Sequence, residues 1–257
     1  MNENDSLKIK KHCFKNFNFY TVTADADLGL FEQIIIEYDN FDRQNLRSSG
    51  KNRLTCKKIL DGKCYYLKTY YFPGAIRILK DLFRKPRAYR TLKAQQILNK
   101  SGVLTANIVF AVQNKNFFKS RFKCMAVLNE IQGKTLDNIL NDSNINYSLK
   151  LDILKKAVAI MAKIHNNNFI YGDFHINNMI ADNALEKIYL IDFDSFRRYF
   201  FNSSKSMLKE FFKFNRYLKK HIKIEDREQL LDFYLSQRNS FYEQNRIDKQ
   251  KSKMDFY

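Results

Sequence analysis

A pair of short apolar segments, residues 179–181 and 188–191, constrains the fold of this chain more than any other feature. The polar, turn-forming residues between them predict a β-hairpin. Asp173 and Asn178 come just before the first strand, and Asp192 comes just after the second. Because a hairpin brings the start of one strand next to the end of its partner, we expect these three side chains to meet at one end of a small sheet.

Two carboxylates and one amide at such a place suit phosphoryl transfer. Asp173 would orient and deprotonate a hydroxyl group, whereas Asn178 and Asp192 would hold Mg²⁺ on the phosphates of ATP. The alternative is a structural turn, because Asp and Asn are the ordinary residues of turns and helix caps. His175 follows Asp173 by two residues, and a predicted strand ends just before Asp192. Both features favour the catalytic interpretation.

Charge indicates the kind of partner. The 257 residues include 45 Lys and Arg against 27 Asp and Glu, a net charge of +18. Such an excess indicates an anionic partner: nucleotide phosphates, nucleic acid or an acidic membrane surface. The alternative is that lysine-rich faces simply keep the protein soluble. Phosphate attraction alone is nonspecific and the sequence shows no base-reading motif, so nucleic acid is the least favoured partner.

Cysteines and apolar runs indicate the compartment. Cys13, Cys56, Cys64 and Cys124 form no C-x-x-C pair and predict neither a zinc site nor a disulfide framework. Reduced cysteines are typical of the cytoplasm. The polar N-terminus lacks a signal-peptide pattern, and no apolar run reaches the ~18–20 residues that a membrane-spanning helix needs. We therefore expect a cytoplasmic protein that is soluble or peripheral to a membrane.

Two further strands are predicted at 54–60 and 64–71, joined by Asp61-Gly62, a strong hairpin signal. The second strand is rich in tyrosine and carries Lys68 in its middle. Contact with nucleotide phosphates would explain a lysine inside a half-buried strand, so we assign Lys68 to the α and β phosphates of ATP. The alternative is an edge strand whose lysine discourages aggregation.

The order of predicted elements gives an α+β fold with two lobes. Residues 1–132 form a strand-rich, nucleotide-binding lobe, and residues 133–257 form a helical, catalytic lobe. A strong amphipathic helix is predicted at 147–167. We expect the active site in the crevice between the lobes. The sequence assigns no oligomeric state.

The catalytic stretch resembles the protein-kinase-like superfamily, in the small-molecule-kinase version with His two residues after the catalytic Asp. Residues 191–194 resemble its metal-binding Asp-Phe-Gly segment, with Asp194 in place of Gly, and Lys68 matches its strand lysine. A narrower resemblance, over roughly residues 45–200, is to the bacterial lipopolysaccharide kinase family. It rests on Gly62-Lys63-Cys64-Tyr65-Tyr66-Leu67-Lys68-Thr69-Tyr70, Phe83-Arg84-Lys85-Pro86-Arg87-Ala88-Tyr89-Arg90, Gly102-Val103 and Asn129-Glu130-Ile131-Gln132-Gly133-Lys134-Thr135-Leu136.

This resemblance implies ATP-dependent phosphorylation of a sugar hydroxyl in the lipopolysaccharide inner core, on Kdo or heptose. It implies that Asp173 is the catalytic residue and that Asn178 and Asp192 are the metal ligands. Nucleotide binding is assigned to those two ligands together with Lys68 and with Glu130, which belongs to the hinge segment. The implied cofactors are ATP and Mg²⁺, and the implied partner is a sugar or glycolipid acceptor.

A basic segment, residues 197–223, carries nine Lys or Arg residues and one acid, Glu210. If it forms an amphipathic helix, its apolar stripe packs on the lobe and its lysines face anionic lipid. We therefore hypothesise that the protein makes peripheral contact with the inner face of the inner membrane.

Two features depart from the family pattern. Thr91 stands where the family has a glutamate that pairs with the strand lysine, and no acid follows it before Glu130, so Gln95 or Gln96 would serve as a neutral acceptor. Residues 48–52 are the one candidate for a glycine-rich phosphate loop. These departures keep two alternatives open: a non-catalytic kinase-like module that binds anionic glycolipid or a protein, and a kinase of another small molecule or protein.

Overall fold

The structure, a computed structural model, describes residues 9–14, 17–22, 29–34, 53–71, 85, 87–115, 122–199 and 203–238. The chain forms two compact units. The first comprises residues 1–96 and 106–130, and the second comprises residues 97–105 and 131–257. The phosphate-loop candidate at 48–52 lies outside the described residues. The assignment of nucleotide binding to 1–132 and of catalysis to 133–257 stays a prediction.

A six-stranded antiparallel sheet dominates the first unit. Its strands are β1 (Lys10–Phe14), β2 (Phe17–Thr21), β3 (Arg53–Leu60), β4 (Lys63–Tyr71), β5 (Ile108–Asn114) and β6 (Phe122–Asn129), in the spatial order β1-β2-β5-β6-β4-β3. Helix α1 (Arg87–Lys100) follows β4 in the chain. Phe31, from the helical residues 29–34, stacks on Phe19 of β2 with ring centroids 4.6 Å apart and meets Phe110 of β5 edge to face. These aromatic contacts form the centre of the unit's core.

The predicted hairpin between β3 and β4 is confirmed. Asp61 and Gly62 have φ values of +48° and +71°, as a two-residue turn between twisted strands requires. β4 is an interior strand, because Lys68 is paired with Thr55 of β3 on one side and with Ala126 of β6 on the other. The edge-strand explanation for Lys68 is therefore wrong.

In its described residues, the second unit combines four complete α-helices with short strands. Its elements are β7 (Gly133–Thr135), α2 (Leu136–Asn141), α3 (Tyr147–Asn166), β8 (Phe169–Ile170), β9 (Met179–Asp182), β10 (Ile188–Leu190), β11 (Arg197–Arg198), α4 (Ser203–Leu218) and α5 (Ile224–Ser236). β7, β9 and β10 form one sheet, and β8 pairs with β11. The helix predicted at 147–167 is confirmed as α3. The side chain of Asn146 caps its start by accepting the N–H of Leu149, and its apolar stripe, which includes Leu154 and Val158, is buried.

Candidate active site

The hairpin predicted to organise the site is present in the second unit. β9 and β10 pair antiparallel, with Met179 opposite Leu190. Beyond that pair, the N–H of Ile191 donates to the carbonyl oxygen of Asn178 at 3.1 Å. Asn178 therefore lies beside the residue that precedes Asp192, and the two predicted metal ligands lie at the same end of the hairpin.

Asn178 also binds Asp173. Its Nδ2 donates to the carbonyl oxygen of Asp173 at 2.9 Å and to Oδ2 of the same residue at 3.2 Å. A short 3₁₀ helix, Ile176–Asn178, brings the two residues within reach of each other. Because both hydrogen bonds use the amide nitrogen, the amide oxygen of Asn178 is the atom suited to ligate a cation.

Tyr171 connects the candidate catalytic loop, residues 171–178, to Asp192, just after the second strand of the hairpin. Its ring is buried, and its hydroxyl oxygen accepts the N–H of Asp192 at 3.2 Å. Burial raises the pKa of Tyr171 well above its usual value, and the negative charge of Asp192 raises it further. The N–H of Asp192 acts in the opposite direction, whereas the charges of Asp194 and Asp173 add to the rise. Three carboxylates thus act on one buried tyrosine, and such a concentration of negative charge attracts a cation.

The available donor atoms fit Mg²⁺. This ion prefers oxygen ligands and keeps several waters, so one or two protein ligands together with phosphates are usual. Asn178 offers an amide oxygen, and Asp192 offers a carboxylate whose Oδ1 is oriented by the N–H of Asp194 at 3.3 Å. Within the described residues, no group of three or more His, Cys, Asp or Glu side chains is placed to hold a metal ion.

The residue before Asp173, Gly172, has a backbone conformation and surroundings that require glycine. Gly172 has a φ of +89°, which residues with a side chain rarely adopt. A Cβ atom at this position would lie 2.7 Å from both the Cβ and the carbonyl oxygen of Ser195. Glycine therefore lets the loop pass close to the segment that follows Asp192.

Glu210 of α4 is a residue of the site that the sequence analysis missed. Its carboxylate accepts the backbone N–H groups of Tyr171, at 3.2 Å, and of Gly172. Its Oε2 lies 2.9 Å from Nε2 of His165, whose Nδ1 lies 2.7 Å from the hydroxyl of Tyr234. The side chains of Glu210 and His165 are only 6% and 0% exposed. This buried network holds the backbone of the loop immediately before its predicted catalytic acid.

Replacing Glu210 with glutamine is expected to destabilise the protein and to slow any reaction at the loop. Glutamine offers one acceptor oxygen instead of two, so at least one buried N–H loses its partner, at a cost of about 1–3 kcal/mol. The melting temperature and kcat should both be lower than the wild-type values. Glu228→Gln, at an exposed position of α5, is the matched control and should behave as wild type. Equal melting and turnover in both variants would contradict the anchoring role of Glu210.

Lys68 and Glu130 lie in the first unit. Lys68 is 8% exposed, and its Nζ lies 5.7 Å from the centre of the Tyr70 ring. Oε1 of Glu130 accepts from Nζ of Lys57 at 2.7 Å, and the N–H of Glu130 donates to the carbonyl oxygen of Cys64 at 3.1 Å. The assignment of Lys68 and Glu130 to nucleotide binding stays a prediction.

The helix α1 carries the residue that replaces the family's glutamate. Thr91 donates from Oγ1 to the carbonyl oxygen of Arg87 at 2.9 Å, one turn earlier in the same helix. Gln95 donates from Nε2 to the carbonyl oxygen of Ala106 at 2.9 Å and to Oδ1 of Asn107 at 3.3 Å. Gln95 thus uses its amide nitrogen to hold the segment before β5, and its role as a neutral acceptor stays a prediction.

Known proteins resemble this chain in sequence pattern and in fold. The model of the lipopolysaccharide kinase (Kdo/WaaP) family matches residues 37–234. A solved structure described as WaaP in complex with acyl carrier protein superposes with a TM-score of 0.59 at 16% sequence identity, over 81% of this chain and 86% of that chain. At this identity the likeness shows the fold alone, and it confirms the predicted α+β, protein-kinase-like fold class. No curated protein matches the sequence.

Proposed function

The chain belongs to the lipopolysaccharide kinase (Kdo/WaaP) family, and from that premise we propose that it transfers the γ-phosphoryl group of ATP to a sugar hydroxyl. The acceptor that we propose is the lipopolysaccharide inner core, at Kdo or at heptose. The observation that carries the proposal is the hydrogen bond between Asp173 and Asn178 at the end of the hairpin that leads into Asp192. A carboxylate base beside a pair of oxygen ligands is the arrangement that phosphoryl transfer requires.

In the proposed reaction, Asp173 accepts the proton of the acceptor hydroxyl and aligns its oxygen with the γ-phosphorus. Lys68 holds the α and β phosphates by charge-assisted hydrogen bonds. Asn178 and Asp192 would hold Mg²⁺, which would neutralise negative charge on the phosphates. All four residues act through position and charge, without forming a covalent bond to the substrate.

Incubation with γ-labelled ATP and a panel of acceptors tests this function. The panel contains Kdo-bearing lipid, heptose-bearing lipid, the free sugars, an aminoglycoside, a fructosamine and a protein. We expect label on a core saccharide, and we expect chelation of Mg²⁺ to abolish it. Label on the aminoglycoside, the fructosamine or the protein alone would overturn the acceptor assignment and retain the kinase.

A non-catalytic kinase-like module is the second candidate. Two observations favour it: Thr91 brings no negative charge to pair with Lys68, and Asp194 replaces the family's glycine. Such a module would bind anionic glycolipid or a protein partner without consuming ATP. Release of ADP upon Mg²⁺-dependent ATP binding decides for the kinase, whereas glycolipid binding without ADP release decides for the module.

We also propose that the protein works in the cytoplasm, in peripheral contact with anionic lipid of the inner membrane. On α4, the apolar side chains Phe211 and Phe214 are buried, whereas Lys205 and Lys209 are exposed, as is Lys219 directly after the helix. Each lysine near an anionic surface contributes about 1 kcal/mol of attraction. No helix among the described residues is both long enough and apolar enough to span a membrane.

Vesicle flotation should show this lipid contact. We expect the wild-type protein to float with anionic vesicles and to stay behind with zwitterionic vesicles. Changing Lys205, Lys209 and Lys219 to glutamate should abolish flotation. The control variant reverses three exposed lysines elsewhere, Lys63→Glu, Lys93→Glu and Lys100→Glu, at the same change in net charge. Flotation that depends neither on vesicle charge nor on these three lysines would remove the proposal.

A further inference from the structure

Besides Glu210, helix α4 has a second residue in contact with the candidate catalytic loop, residues 171–178. Three residues after Glu210, Lys213 donates from Nζ to Oδ1 of Asp173 at 3.1 Å. Residues three apart share one face of a helix. The anchoring of Glu210 on the backbone of Tyr171 and Gly172 therefore also sets the place of Lys213. One helix thus binds three consecutive loop residues, through one buried carboxylate and one solvent-accessible ammonium.

The two carboxylate oxygens of Asp173 have different partners. Oδ2 accepts from Asn178, which is held in place by its second hydrogen bond to the carbonyl oxygen of Asp173. Oδ1 accepts from Lys213, a long and flexible side chain that is 45% exposed. An acceptor hydroxyl can therefore reach Oδ1 by displacing Lys213 without any movement of the backbone.

Lys213 is the cation beside the predicted base. Burial opposes its charge, but the hydrogen bond to Asp173 and the charge of that carboxylate outweigh burial and raise the pKa of Lys213. His175 does not share this role. Burial lowers its pKa, and the charge of Asp173 only partly opposes the decrease. Its Nδ1 accepts the N–H of Asn177, and its ring packs on Tyr217 at 3.9 Å between centroids.

We propose that Lys213 is a catalytic residue that contacts the phosphoryl group during its transfer, an inference that rests on the function proposed above. The acceptor hydroxyl takes the place of Lys213 on Oδ1 and gives its proton to Asp173. The hydroxyl oxygen forms a bond to the γ-phosphorus while the bond to the β–γ bridging oxygen breaks, and that electron pair leaves with ADP. Lys213 stays protonated and donates to a non-bridging oxygen of the moving group, which stabilises its charge.

A structural role does not explain this placement. Exposed ion pairs contribute little to stability, and the side chains of Lys213 and Asp173 are 45% and 42% exposed. The buried contacts of Glu210 already fix α4 to the loop. The ammonium of Lys213 contacts the predicted base and is partly exposed. It can therefore move towards the phosphoryl group as negative charge develops during transfer.

Steady-state kinetics of Lys213→Met and Lys213→Arg test the proposal. The matched control is Lys155→Met, at an exposed position of α3 to which no role in binding or catalysis is assigned. We expect kcat of Lys213→Met to fall about a hundredfold, while the KM values for ATP and acceptor change by less than about threefold. Lys213→Arg should recover a large part of kcat, because it keeps the charge. The rate of ATP hydrolysis in the absence of acceptor should fall by a similar factor, because hydrolysis transfers the same phosphoryl group to water.

Two results would overturn the role of Lys213. One is a normal kcat with a raised acceptor KM, which would make Lys213 a binding residue of the acceptor. The other is a lowered melting temperature with unchanged kinetics, which would make the ion pair structural. If the wild type hydrolyses ATP but labels no saccharide, the acceptor assignment fails separately. The hydrolysis rates then decide this proposal: a hundredfold loss in Lys213→Met, relative to the control, supports it, and no loss refutes it.

Discussion

Replacing Asp192 with asparagine is expected to leave a folded protein whose phosphoryl transfer is slower by about a thousandfold. The Oδ1 atom of an asparagine can still accept the N–H of Asp194, so the turn after β10 should persist. The substitution removes the one full negative charge from the proposed pair of Mg²⁺ ligands, since Asn178 is neutral. An ion held by two amides neutralises the phosphates less well because it is bound less tightly.

The measurement for this variant is kcat at saturating ATP and Mg²⁺, together with a melting curve. Asp152→Asn, at an exposed position of α3, removes the same charge far from the hairpin in sequence and should retain full activity. Wild-type rates in Asp192→Asn would refute the assignment of Asp192. A large drop in melting temperature would mean that the side chain is needed for folding, and the loss of activity would then not report on the metal.

Replacing Asp173 with asparagine should lower kcat by about 10²–10⁴-fold, the range that a positioned general base contributes. The KM for ATP should stay close to its wild-type value, because Asp173 is not among the proposed nucleotide contacts, which are Lys68, Glu130, Asn178 and Asp192. An asparagine oxygen can still accept one hydrogen bond, from Asn178 or from Lys213, so the loop should keep its shape.

Separate measurement of kcat and of the KM for ATP distinguishes this outcome from its alternative. A raised KM with a normal kcat would make Asp173 a nucleotide ligand instead of a base. Binding of ATP to Asp173→Asn, followed by calorimetry, provides the control, because affinity should match the wild type even where turnover is lost.

The hairpin and its three polar residues could be predicted because their signals are local in the sequence. Two short apolar runs, a polar turn and the spacing of Asp173, Asn178 and Asp192 lie within twenty residues or so, and strand pairing follows from them. The strand around Lys68 can also be predicted, from the Asp61-Gly62 turn that precedes it and from its many tyrosines. The structure then excludes the edge-strand explanation for that lysine, because it shows pairing on both sides of β4.

The contacts made by α4 could not be predicted, because they join residues about forty positions apart in the chain. A signal was present for Glu210: it falls among Met207, Phe211 and Phe214 on the apolar side of its helix. A charged side chain on the buried side of a helix needs a buried partner. The identity of the partner, two backbone N–H groups of the loop, depends on how the helix packs. The two-residue strands β8 and β11 are too short to show any periodicity.

Diffraction from crystals grown with Mn²⁺ and a non-hydrolysable ATP analogue tests the central claim most directly, because Mn²⁺ occupies oxygen-ligand sites and scatters anomalously. We expect an anomalous peak about 2.1 Å from the amide oxygen of Asn178 and from a carboxylate oxygen of Asp192. The γ-phosphate of the analogue should face Asp173. Bound nucleotide with its metal away from both ligands, and with Asp173 remote from the γ-phosphate, would contradict the account.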